Sequence, residues 1–112
     1  KRYSPVTEVT ISAGPIQAIS TAITAVVNEG DEVIIFEPSY LTYGPAVRLN
    51  GGTPVHVPLK EPGFRVEWED LRKMITTRTR LIIINTPHNP TGIVFSREDM
   101  LQLQRLTAGT GI

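Results

Sequence analysis

The chain contains no cysteine, so neither a disulfide framework nor a thiolate metal site is available to it. It has no excess charge of either sign, because 11 Lys and Arg balance 11 Asp and Glu. That balance removes the sequence-independent pull toward nucleic acid or an anionic membrane surface. Long apolar runs are also missing: Val33–Phe36 and Leu81–Ile84 are the longest, far short of the ~20 residues that cross a bilayer. No apolar stretch stands behind Lys1-Arg2-Tyr3-Ser4-Pro5, which therefore does not read as a signal peptide. The two histidines, His56 and His88, lack metal-ligand spacing to each other or to any carboxylate, and no metal site is expected. No nucleophile–base arrangement is visible either.

What is present is an ordinary globular composition: 112 residues, 40% hydrophobic and 20% charged, enough for one small domain or a piece of a larger one. Strand-like and helix-like segments alternate. Val9–Ile11 is a β-branched run. Ile16, Ile19, Ile23, Val26 and Val27 then recur on one face of a helix that Gly30-Asp31 ends. Glu32–Phe36 reads as a strand covered on both faces. Tyr40–Leu49 reads as a weak helix interrupted by Gly44-Pro45, and a strand follows over Thr53–Val57. Val66–Ile75 has Trp68, Leu71 and Ile75 at helical spacing, with Glu69 and Lys73 as an i,i+4 pair. Arg80–Asn85 is expected to be the most buried strand. Ser96, with Asp99 three positions on, opens a last helix through Met100, Leu103 and Leu106. This alternation predicts an α/β fold, a three-layer, mainly parallel sheet flanked by helices. Gly109-Thr110-Gly111-Ile112 reads as a turn leading to a further strand, and the abrupt ends favour a fragment.

In such a sheet, ligands bind outside the carboxyl ends of the strands. Three loops are expected there. Ser12-Ala13-Gly14-Pro15-Ile16-Gln17 enters a helix, whose free N–H groups and dipole suit an anion, although any strand-to-helix turn favours the same glycine and proline. Glu37–Tyr43 places Tyr40 just past a strand, where its face can cover a planar ligand or simply close the rim of the core. Thr86–Gly92 is stiffened by two prolines. It presents Asn89, whose amide can donate and accept toward a ligand or bond its own backbone.

Taken in order, Ile11-Ser12-Ala13-Gly14, Gln17-Ala18-Ile19, Glu29-Gly30-Asp31-Glu32-Val33, Glu37-Pro38-Ser39-Tyr40 with Tyr43, and Asn85-Thr86-Pro87-His88-Asn89-Pro90-Thr91-Gly92 resemble the class I and II aminotransferases. These are fold-type-I enzymes dependent on pyridoxal 5′-phosphate. The resemblance runs from about Tyr3 to Ile112 and is strongest to the branch of kynurenine and methionine aminotransferases. It implies a piece of the large, cofactor-binding domain of an enzyme that moves an amino group between an amino acid and a 2-oxo acid. Carried over by motif, Gly14, Pro15 and Ile16 match the turn that holds the cofactor phosphate. Tyr40 matches the aromatic on the pyridine ring. Asn89 matches the asparagine that bonds the ring's phenolic oxygen and helps to seat the substrate carboxylate, and Tyr43 lines the site.

Pro15 departs from the family's pattern, since a proline has no N–H to give the phosphate. The resemblance also implies what these residues do not supply: the Schiff-base lysine, the aspartate on the pyridine nitrogen and the arginine that clamps the substrate. Lys1, Lys60 and Lys73 match none of these, so the 112 residues are expected to be inactive alone. A homodimeric parent in the cytoplasm, acting in amino-acid biosynthesis, is the family expectation. Carbon–sulfur lyases, decarboxylases and aminocyclopropane-carboxylate synthases share the same loops, and a non-catalytic ligand-binding remnant is the alternative outside enzymes.

Overall fold

Four consecutive residues, Val33 to Phe36, are all buried, so the strand that carries them, β1 (Glu32–Glu37), has cover on both faces. The structure, a computed structural model, describes residues 2–112. Around β1 the order along the chain is α1 (Pro15–Val26), β1, α2 (Tyr43–Leu49), β2 (Thr53–Pro58), α3 (Trp68–Met74), β3 (Thr79–Ile83) and α4 (Arg97–Thr107). The sheet has three strands in the order β2-β1-β3, all parallel. Ile35 pairs with His56 on one side and Ile83 on the other, and Glu37 at the carboxyl end of β1 pairs with Pro58.

Alternation along β1 sorts the helices into two layers. Val33 and Ile35 pack with Ile23 and Val27 from the α1 side and with Tyr43, Ala46 and Val47 of α2. Ile34 and Phe36 face the other way, onto Val57, Leu59, Val66, Leu71 of α3 and Phe95, with Met100 and Leu106 of α4 against the same cluster. Helices thus cover both faces of a parallel sheet, the predicted three-layer α/β arrangement. Layer and turn meet closely at Gly52: a Cβ there would lie 2.7 Å from Val27 Cγ1 and 3.0 Å from Val47 Cγ1.

Several local expectations are corrected. Val9–Ile11 forms no strand; Ile11 is 94% exposed, and no strand among the described residues offers this run the ladder partners that it needs. The most buried strand is β1, not the run at Arg80–Asn85. That run forms β3, which starts one residue and ends two residues earlier than expected and lies on the sheet edge, where Leu81 to Ile84 are only partly buried. The second helix starts at Tyr43 instead of Tyr40, which puts Gly44-Pro45 into its first turn, where proline costs no helical hydrogen bond. Lys73 pairs with Asp70 at 3.0 Å and Glu69 lies 4.0 Å from Arg72, so the outer face of α3 uses i,i+3 spacing instead of Glu69–Lys73. The start of α4 is a capping box as read: Asp99 N–H donates to Ser96 Oγ at 3.1 Å and Ser96 N–H donates to Asp99 Oδ2 at 2.8 Å.

At the amino edge of the sheet sits a buried carboxylate. Glu32 accepts from Thr76 Oγ1 at 2.6 Å and from Arg78 Nη2 at 2.6 Å and Nε at 3.1 Å. The Thr76 hydroxyl leads in holding Glu32 below the usual carboxylate range; burial opposes it and Arg78 reinforces it.

Candidate functional site

Parallel strands put all their carboxyl ends on one edge, and the loop geometry brings the first helix to it. α1 is tied at its C-terminal end to the amino edge, where Arg80 Nε donates to Val26 O at 3.2 Å. Twelve helical residues span about 18 Å, so the N-terminus of α1 points toward the opposite, carboxyl edge. Ile19, one turn in from that end, packs on the same apolar cluster as Tyr40 and Ile83. The first loop therefore reaches the edge through its helix and not, as expected, by following a strand.

Gly14 caps α1 at φ 95°, a conformation open to glycine, and Pro15 is the first helical residue. No side chain caps this end and its first turn has no acidic residue. Ala13 N–H is taken by Gln17 Oε1. The N–H groups of Gly14, Ile16 and Gln17 have no partner among the described residues, and Pro15 has none to offer. The arrangement suits an anion, with one donor fewer than a full first turn supplies.

Tyr40 is half-buried. Its ring meets that of Tyr43 edge-on, centroids 5.7 Å apart at 72°. Tyr43 is buried, and that burial, with Tyr40 beside it, pushes its phenol above the ordinary value. Between them in sequence, Thr42 Oγ1 is buried without a hydrogen-bond partner among the described residues.

The third loop is tightly built. His88 N–H donates to Ile93 O and Gly92 N–H to His88 O, each at 2.7 Å, and Gly92 takes φ 74°. The buried His88 ring meets Thr91 Oγ1 at 2.8 Å and Phe95 edge-on at 6.4 Å. Desolvation holds this imidazole below its ordinary pKa, against an opposing pull from Glu37. The Asn89 amide is not spent on its own backbone: Asn85 Oδ1 accepts from Asn89 N–H at 2.8 Å, while the exposed Asn89 side chain makes no hydrogen bond among the described residues.

One cluster at this edge escaped the sequence reading. Glu37 Oε1 meets His56 Nδ1 at 2.6 Å and accepts from Ser39 Oγ at 2.9 Å. Glu37 and His56 are 19 positions apart. Only the register that sets Ile35 beside His56 reveals that they are neighbours. Neither described lysine side chain makes a hydrogen bond to the three loops. Lys73 is on the exposed face of α3 paired with Asp70, and Lys60 is exposed in the bridge to Arg65. Lys1 lies outside the described residues. No cluster of metal-ligating side chains and no helix long and apolar enough to cross a membrane occurs among the described residues.

Comparison with known proteins adds to this geometry. Residues 1–112 match the family described as aminotransferase class I and II. The chain is 45% identical over 102 residues to the methionine aminotransferase of Escherichia coli, covering 91% of this chain and 26% of that protein. It is 39% identical over 121 residues to a probable kynurenine–oxoglutarate transaminase of Saccharomyces cerevisiae, covering 92% of this chain and 27% of that one. Among solved structures, YbdL of Escherichia coli, reported with a methionine aminotransferase function, superposes with a TM-score of 0.90 at 46% identity, over 92% of this chain and 27% of that one. The N-succinyldiaminopimelate aminotransferase of Mycobacterium tuberculosis superposes at 0.89 with 40% identity, over 94% and 28%. The chain thus spans about a quarter of the length of these relatives.

Proposed function

The chain belongs to the class I and II aminotransferase family, and from that premise we propose that its carboxyl edge is the cofactor-holding part of an enzyme that moves an amino group between an amino acid and a 2-oxo acid. In this reading the 112 residues are part of the large domain. The whole protein is a cytoplasmic homodimer, a proposal that rests on the family alone.

The open groups at the edge fit pyridoxal 5′-phosphate. An uncapped helix end with free N–H groups suits its phosphate, the face of Tyr40 suits its ring, and the unpaired Asn89 amide and orphaned Thr42 hydroxyl suit polar oxygens. When bound, that group acts as an electron sink for the substrate's α-carbon. Gly14 and Ile16 would hold the phosphate through their backbone N–H groups. Pro15 fixes the first turn without donating. Tyr40 would keep the ring flat at the end of β1, braced by Tyr43. Asn89 would donate to the ring oxygen and orient the substrate carboxylate. None of the described residues supplies a lysine to the site, and proton transfer at the α-carbon is assigned to no residue here.

The single observation that supports this reading best is that Ile19 near the start of α1, Tyr40, and Ile83 of the strand that leads into the Asn89 loop pack on one apolar cluster of a parallel sheet. Titration of the chain with pyridoxal 5′-phosphate, followed by amide shifts, tests it. Shifts at Gly14, Ile16, Tyr40 and Asn89 are expected, with no lysine fixed by borohydride in stoichiometric yield. Shifts confined to residues away from the three loops would sink the assignment.

A further inference from the structure

Glu37 ends the central strand, and its backbone is held there by Leu59 N–H, which donates to Glu37 O at 2.8 Å. Its side chain turns this fixed point into a clamp. Oε1 accepts from Ser39 Oγ at 2.9 Å, two residues on, and meets Nδ1 of His56 on β2 at 2.6 Å. An ionised carboxylate only accepts hydrogen bonds, so Nδ1 of His56 carries the hydrogen and donates. The loop that leaves β1 is therefore pinned by its first side chains to the neighbouring strand. Tyr40 is the next residue after Ser39, and its own C=O accepts from Tyr43 N–H at 3.2 Å to enter α2. Ser39 is pinned on one side of Tyr40 and α2 on the other, which leaves the tyrosine little freedom to swing.

We propose that Glu37 is a positioning residue: with Ser39 and His56 it sets the plane of the Tyr40 ring at the carboxyl edge. The functional half of this inference rests on the reading of Tyr40 as the ring contact. The geometric half does not, because it concerns the free chain. Glu37 touches no ligand in this arrangement and acts only through Tyr40. The charged or titratable groups that face it are His56 at 2.6 Å and His88 of the third loop, on whose charged form Glu37 acts favourably. The same carboxylate thus ties the Tyr40 loop to β2 and lies within electrostatic reach of the Asn89 loop.

NMR of the 112-residue chain and three variants tests the idea without any enzyme assay. In the parent chain, His56 should be the Nδ1–H tautomer and the Tyr40 ring should show cross-peaks to Tyr43. In Glu37→Ala the tautomer preference and those cross-peaks should both be lost, while the methyl shifts of Val33, Ile34 and Ile35 stay in place. Glu37→Gln keeps an acceptor oxygen and should restore most of the Tyr40 cross-peaks. Ser39→Ala, a milder change suited to the case in which Glu37→Ala does not fold, should weaken them part-way. Binding of pyridoxal 5′-phosphate to Glu37→Ala should be roughly three- to tenfold weaker, the worth of a misaligned aromatic contact. Unchanged Tyr40 cross-peaks in folded Glu37→Ala, or in Ser39→Ala if the former does not fold, would overturn the positioning role. Intact positioning effects beside a parent chain whose Tyr40 ignores the cofactor would instead overturn the functional reading and leave the clamp standing.

Discussion

Trp68 and Asp99 lie 31 positions apart and are joined by an indole N–H that donates to the Asp99 carboxylate at 3.3 Å. The same carboxylate closes the capping box of α4 through Ser96. One side chain therefore both starts α4 and ties it to α3 on the same face of the sheet. Burial raises the Asp99 pKa, but the bonds from Ser96 and Trp68 outweigh it and leave the carboxyl below its ordinary range.

Asp99→Ala leaves the Ser96 cap in place but removes the acceptor of Ser96 N–H and of the Trp68 indole, and should lower stability by about 1–2 kcal/mol. Trp68 is the sole tryptophan, so its fluorescence reports the lost tie directly. The carboxyl is held low in the folded chain, so its contribution is complete above the unfolded carboxyl pKa. It fades as pH falls through the folded value. Urea unfolding followed at the tryptophan should show a smaller acid loss in the variant than in the parent, the remainder coming from Glu32. An unchanged midpoint would remove Asp99 from any structural role.

Gly52 should not tolerate a methyl group. With Val27 Cγ1 at 2.7 Å and Val47 Cγ1 at 3.0 Å from the position of an added Cβ, Gly52→Ala must separate α1 from α2. A loss of about 1–3 kcal/mol, typical of overpacking, is expected in denaturant unfolding. A neutral result would mean that the two valines move apart freely.

The expected order of burial was the part of the fold least legible in sequence. Both Val33–Phe36 and Leu81–Ile84 are continuous apolar runs, and periodicity cannot say which one is central. Pairing decides it: β1 has a strand on each side, whereas β3 has one. The layer architecture and the Ser96 cap were readable because local chemistry dictates them. Glu37–His56 was not, since two side chains on adjacent strands meet only once the register is known. At the site, Gly14, Tyr40 and Asn89 stood out by their positions in loops. Thr42 did not, because its missing partner is a fact of packing.

His88 should make stability pH-dependent near neutrality. Burial favours its neutral form, so its folded pKa lies below the ordinary imidazole value of about 6.5. The unfolded chain then binds a proton that the folded chain refuses, and stability is full above about pH 6.5 and declines as pH falls below it. Denaturant midpoints between pH 5 and 8 should slope for the parent and flatten for His88→Gln. Equal slopes in both would assign the effect elsewhere.

Pro15→Ala should improve anion binding. The change gives the first turn of α1 the N–H that proline lacks, at little cost to the helix. One added hydrogen bond predicts roughly three- to tenfold tighter binding of pyridoxal 5′-phosphate or inorganic phosphate by titration calorimetry. No gain would mean that this helix end is not where the phosphate sits.

The central place of β1 has a consequence for how the molecule opens. Its amides are bonded to strands on both sides and screened by both helical layers. They should outlast all others in hydrogen exchange, and α1, with Ile23 as its one buried residue, should exchange early. A ligand bridging the α1 end and Tyr40 would tie an early-exchanging helix to the loop that leaves the slowest strand. Its binding would be read most clearly as slowed exchange in α1, before any change in the overall melting of the chain.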